Sequence, residues 1–129
     1  MKRTFTLVAT GFLLSSFFFL TGIDEVINAL KTGNTAQIAR SFDNTVEITM
    51  RDNSNSYSKS QAELVLKDFF STNPVKNFEV IHKGENSGTQ SQFCIGILYT
   101  RNGTYRTTVF MKQKGDKLLL QEIRFEPPS

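Results

Sequence analysis

The chain holds one cysteine, one histidine and three prolines. A single cysteine closes no disulfide within the chain, so stability must come from packing alone. One histidine, one cysteine and no clustered carboxylates make no ligand set for a metal. Asp52-Asn53-Ser54-Asn55-Ser56 has a single acid and lacks the pattern of a calcium loop. There is no glycine-rich phosphate loop, no internal repeat and no low-complexity segment. No cofactor is therefore expected, and no catalytic motif is legible. Charges are scattered without a basic cluster or stripe, which disfavours nucleic acid as a partner.

What is present begins at the N-terminus. Lys2 and Arg3 precede an uncharged stretch from Thr4, and the run from Phe5 to Gly22 is 18 residues of mainly apolar character. A basic start followed by an apolar core is the pattern of a secretory leader. Residues 1–22 are thus expected to be a signal peptide, cut near Gly22, or an uncleaved N-terminal anchor. The run is long enough for either. A lipoprotein is excluded, because the only cysteine, Cys94, lies far from any new N-terminus. No later apolar stretch is long enough to span a bilayer, so membrane contact is expected only through an uncleaved leader. The expected location is periplasmic or secreted.

The leader carries part of the charge. The chain has 15 Lys+Arg against 12 Asp+Glu, and without Lys2 and Arg3 the balance is 13 against 12, net +1. It also carries Phe5, Phe12, Phe17, Phe18 and Phe19, leaving seven of the 12 phenylalanines for a core. The remaining residues, 23–129, suffice for one small domain.

Ile23, Val26, Ile27 and Leu30 recur with helical spacing, with Thr21 and Asp24 as a capping box and Gly33 as a left-handed cap. Asn34 can cap a second short helix carrying Ile38, Ala39 and Phe42. Asp43-Asn44 reads as a turn, Val46 to Met50 as a half-buried strand, and polar Arg51 to Ser58 as a loop. Ser60 and Glu63 form another capping box. Ala62, Val65, Leu66, Phe69 and Phe70 then mark an amphipathic helix that stops near Asn73, before Pro74. From Asn77 the period becomes two. Phe78, Val80 and His82 share a strand face, Lys83 to Gly88 reads as a loop, and three strands follow: Gln90–Thr100, Thr104–Lys114 and Lys117–Glu126. Asn102-Gly103 suits a type I′ hairpin turn and Gly115-Asp116 a type II′ turn. Asn102-Gly103-Thr104 matches a glycosylation sequon, which the turn explains. Cys94 reads as a small apolar strand residue.

Strict alternation from those turns sorts the last strands into two faces. One carries Phe93, Ile95, Ile97, Tyr99, Arg106, Thr108, Phe110, Leu119, Ile123 and Phe125. The other carries Cys94, Leu98, Val109, Met111, Leu118 and Leu120, with Tyr105, Thr107, Glu122 and Arg124. The first is expected to lie under the helices. The second, half apolar and half polar, is expected to meet a second copy, giving a homodimer through Leu98, Val109, Met111, Leu118 and Leu120.

Helix, short helix, strand, longer helix and a four-stranded antiparallel meander make an α+β order. It resembles the cone-shaped fold of nuclear transport factor 2, scytalone dehydratase and ketosteroid isomerase. There a bent sheet wraps a long helix. More closely, the chain is similar to domain-of-unknown-function family 4783, small exported bacterial proteins of the nuclear transport factor 2-like (cystatin-like) superfamily. The residues that carry this are Ala29-Leu30-Lys31-Thr32-Gly33-Asn34, Ser58-Lys59-Ser60-Gln61-Ala62-Glu63 with Phe69-Phe70, and Ile95-Gly96-Ile97-Leu98-Tyr99-Thr100. The resemblance covers residues 23–126 and implies the fold, not an activity.

In such a cone the candidates for ligand contact are His82, Tyr99 and Arg106, with Tyr57 able to fold over the mouth. A small apolar or amphipathic ligand would fit an apolar lining with few polar groups. The acid/base sets of the isomerase and dehydratase do not map onto the chain, so no catalytic residue is named. Two readings follow: a non-catalytic module of the cell envelope that binds a protein or a small ligand, and, as the alternative, a small lyase or isomerase of the ketosteroid isomerase type.

Overall fold

The computed structural model describes residues 22–128. Residues 1–21, which hold nearly all of the expected signal peptide and the expected Thr21 cap, lie outside them. Two short helices, α1 (Ile23–Leu30) and α2 (Thr35–Ala39), precede strands β1 (Phe42–Met50) and β2 (Asn53–Ser58). Helix α3 (Lys59–Thr72) follows, then β3 (Val75–Asn86), β4 (Ser91–Thr100), β5 (Gly103–Lys114) and β6 (Lys117–Glu126). The strands form one sheet in the order β2-β1-β6-β5-β4-β3. Only β1 and β6 among these neighbours run parallel. The expected meander is β3 to β6.

Local chemistry explains most boundaries. Asn34 accepts a hydrogen bond from the Gln37 N–H at 3.1 Å and starts α2, as expected. Gly33 takes the left-handed φ of 72° that closes the corner after α1. Helix α3 is capped by Ser58, whose hydroxyl accepts from Gln61 N at 3.3 Å, rather than by Ser60. It ends at Asn73, ahead of Pro74.

Several boundaries differ from the sequence reading. Phe42, Asp43 and Asn44 belong to β1, not to a helix and turn. The polar run after Arg51 is strand β2, exposed throughout except half-buried Tyr57. An edge strand with solvent on most sides has no apolar alternation to betray it. Strand β3 continues to Asn86 through the expected loop. The β4–β5 hairpin turns on Arg101 and Asn102, with Thr100 opposite Gly103, and neither has the positive φ of the expected type I′ turn. Gly115, φ 67°, opens the β5–β6 turn as anticipated.

The covered face of the sheet is the reverse of the expected one. Cys94, Leu98, Val109, Met111 and Leu120 are fully buried under the helices, and Leu118 packs against them. These side chains therefore belong to the core and form no dimer face. Strict alternation misjudges the faces because β6 carries a β-bulge at Gln121. Phe110 pairs with Glu122 but Met111 with Leu120, so Gln121 is skipped. One extra residue flips the parity of the rest of the strand. Ile123 and Phe125 thereby join Leu118 and Leu120 inside, while Glu122 and Arg124 leave for the outer face. With that shift the inner face of β4, β5 and β6 presents no charged residue within the core. Val26, Leu30, Ile38, Leu66, Phe69 and Phe70 cover it from the helices. Each such large side chain contributes about 1.5–3 kcal/mol by leaving water.

Candidate functional site

Between the C-terminal end of α3 and the sheet, an aromatic cluster fills the cone. The Phe69 ring stacks on Phe125 at 4.3 Å and meets Phe70 and Tyr105 edge-on at 5.4 and 5.2 Å. Phe78 is buried on β3 and lies against Gly96, where an added Cβ would come within 2.6 Å of the ring. Deep in the cone the space is therefore packed with phenylalanine.

At its open end a cleft of about 350 Å³ remains, lined by Met50, Arg51, Phe69, Thr72, Asn73, Asn102, Tyr105 and Phe125. A groove of about 390 Å³ along α3 shares Met50, Phe69, Thr72 and Asn73 with it and adds Leu64, Val65 and Asp68. The polar rim is an ordered network. Tyr105 donates its hydroxyl to Asn73 Oδ1 at 3.0 Å, and Asn73 Nδ2 donates to the Phe69 carbonyl at 3.1 Å. Asn102 Nδ2 donates to the Thr72 carbonyl. Each amide thereby satisfies a backbone acceptor at the end of α3.

Arg51 sits in the two-residue turn between β1 and β2 with a left-handed φ of 61°. A non-glycine residue held there costs on the order of 1–2 kcal/mol. Its backbone N–H donates to the Phe125 carbonyl at 2.7 Å, which fixes the turn against β6. The cleft thus has an apolar floor, neutral hydrogen-bonding groups and one cation.

None of the ligand candidates read from the sequence, Tyr57, His82, Tyr99 and Arg106, lines this cleft. His82 lies on the outer face because β3 also carries a bulge. Val80 pairs with Gly96 but His82 with Ile95, so Ile81 is skipped and His82 leaves the face it would share with Phe78 and Val80. Its ring sits 5.3 Å from Phe93. Tyr99 is 37% exposed on the outer face and donates to Glu79 at 3.2 Å, a bond that raises the tyrosine pKa. Arg106 stands beside Ile97 on that same face. Tyr57 points inward, opposite Val46, and packs against the core instead of folding over the mouth. The residues that do line the cleft carried only bland signals. Asn73 marks a helix stop, Asn102 a turn and Arg51 a loop, and Tyr105 falls by strict alternation at the polar end of the face expected to meet a second copy.

Asp43 is the buried acid of the opposite end. Burial pushes its pKa up, but hydrogen bonds from Asn44 N–H (2.7 Å), Lys114 (3.1 and 3.2 Å) and Gln121 (3.1 Å), with the ammonium charge, outweigh it and hold the carboxyl below its ordinary value. Cys94 is buried, and burial pushes its thiol up to about 11 against a smaller pull from Lys83. It is an inert core residue.

Helices lie on one side of the six-stranded sheet, with the mouth beside the end of α3. The family model described as a domain of unknown function (DUF4783) matches residues 23–126. The chain belongs to the DUF4783 family. A DUF4783 crystal structure from Bacteroides uniformis is 30% identical with a TM-score of 0.80, over 84% of this chain and 99% of that one. Another, from Bacteroides fragilis, is 34% identical with a TM-score of 0.75, over 81% and 96%. An NTF2-like protein of unknown function from Pseudomonas putida, 13% identical with a TM-score of 0.63 over 92% and 89%, shares the fold. No curated protein matches the chain.

Proposed function

We propose that this DUF4783 protein is an exported, non-catalytic interaction module of the cell envelope that pairs with a second copy through the outer face of its sheet. The basic, apolar leader supports export. The observation that carries the pairing is the composition of the outer face. Phe93, Ile95 and Ile97 on β4, Phe110 on β5 and Leu119 on β6 all remain partly exposed there. A contiguous apolar stripe on a sheet is a surface that a partner covers.

The flanking charges favour a second copy as that partner. Glu79, Ile97 and Arg106 form one cross-strand row with Ile97 in the middle. A two-fold axis lying along β4 reflects the row onto itself. Glu79 of one copy then meets Arg106 of the other, and the isoleucines pack at the centre. Sheets stacked this way keep their strands within about 30° of each other. The self-complementary arrangement is that of an isologous dimer. Against the isomerase alternative stands the cleft lining, which among the described residues offers no carboxylate or histidine as acid or base.

Light scattering tests the reading. A mass of two chains is expected, with Glu79→Arg and Arg106→Glu each shifting the protein to a monomer and the double exchange restoring the dimer. A wild-type monomer at high micromolar concentration sinks the idea.

A further inference from the structure

We propose that the cleft at the mouth of the cone binds a small amphipathic carboxylic acid, its carboxylate on Arg51 and its apolar body on Met50 and Phe69. The cleft lies away from the outer sheet face, so this site stands or falls independently of the dimer.

Three features of the cleft carry the inference. The first is size and lining. At about 30 Å³ for each water-sized group, 350 Å³ holds about a dozen heavy atoms. Ligand sites typically combine such a volume with an apolar wall and a few oriented polar groups. Here the wall is Met50 and Phe69, with the fully buried Phe125 ring stacked behind Phe69, and the polar groups are Tyr105, Asn73 and Asn102.

The second is the sign of the charge. Among the described residues Arg51 is the one ionic side chain in the lining, with no acid beside it there. The adjoining groove contributes one carboxylate among the described residues, exposed Asp68. A guanidinium beside an apolar wall matches a carboxylate bidentately, with planar geometry that a lysine does not reproduce. A neutral ligand leaves that cation unused, and a cationic one is repelled.

The third is the conformation of Arg51. A left-handed turn position favours glycine or asparagine, yet an arginine occupies it, with its N–H tied to Phe125. Strain retained at a cleft mouth points to use of the side chain. The hydrogen-bonded rim is already organised. Tyr105 donates to Asn73, so toward the ligand it offers lone pairs rather than its proton. It therefore contributes shape and an acceptor, and the anionic head is left to Arg51.

The test uses the domain from Gly22 to Ser129. The crystallised Bacteroides uniformis relative, matched over 99% of its length, shows that such a domain stands alone. Decanoate, decan-1-ol and decyltrimethylammonium are titrated against it, with the side-chain amides of Asn73 and Asn102 followed by nuclear magnetic resonance. Decanoate is expected to shift both amides saturably. Arg51→Gly suits the left-handed φ, keeps the fold, and is expected to weaken decanoate by about tenfold, the loss of one charge-assisted contact. Decan-1-ol is expected to bind wild type and Arg51→Gly alike, and the ammonium probe to bind least. Arg51→Lys, which keeps the charge, is expected to stay between wild type and Arg51→Gly. Decanoate binding unchanged in Arg51→Gly overturns the proposal. So does the absence of saturable shifts at Asn73 and Asn102, or shifts confined to the outer face at Ile95 and Ile97.

Discussion

Gln121 donates a hydrogen bond from its side-chain amide to Asp43 at 3.1 Å, tying the bulged residue of β6 to the start of β1. The same carboxylate takes Lys114 from the end of β5. The bulge is therefore held by three strands, and it decides which residues of β6 face the core.

Removing the bulge should be far worse than removing its side chain. Gln121→Ala loses one hydrogen bond to a charged group and is expected to cost about 1.5–3 kcal/mol. Deleting Gln121 altogether returns β6 to strict alternation and turns Ile123 and Phe125 outward. Circular dichroism should show a cooperative melt at a lower temperature for the alanine variant and no cooperative melt for the deletion. An intact deletion variant would mean that the bulge is incidental.

Acid should loosen the same corner. Asp43 has a lower pKa folded than unfolded, so the unfolded chain takes up its proton first as pH falls. Its contribution is present above the unfolded carboxyl value, near 4, and is lost as pH falls through the lower folded value. Denaturant unfolding at pH 7 and at pH 3 should show a drop in stability that is smaller in Asp43→Asn. Equal drops in both proteins would assign the acid sensitivity elsewhere.

Cys94 should be silent in the folded protein. Its thiol, pushed up to about 11 by burial, offers almost no thiolate at pH 8. A disulfide reagent is expected to titrate the thiol only after denaturant is added. Rapid labelling without denaturant would show that β4 opens.

Gly96 should resist substitution. An alanine Cβ there would lie 2.6 Å from both the Phe78 ring and the Glu79 carbonyl, and the latter is backbone with no rotamer to yield. Gly96→Ala is expected to cost about 1–3 kcal/mol by overpacking, read as a lower midpoint in urea. Gly115 has nothing within 4 Å of the same position, although its φ of 67° makes alanine strained there for a different reason.

Helical spacing of Ile23, Val26, Ile27 and Leu30, the Asn34 cap, the stop before Pro74 and the period-two strands were legible in the chain because they are local. Each depends on residues a few positions apart, and so does the order of elements that leads to the cone. Which face of the sheet is covered was not local. Bulges at Ile81 and Gln121 each insert one residue, reverse the alternation beyond it and move His82 outward and Phe125 inward. No periodicity announces a bulge in advance. Its position is settled by what the displaced side chains gain, here an inner face cleared of Glu122 and Arg124 and a carboxylate waiting at Asp43. The cleft follows from the same source. Arg51, Asn73 and the Asn102–Tyr105 pair come from three separate stretches of the chain and are unremarkable one by one, and only the packing of α3 against β1, β5 and β6 brings them to one mouth.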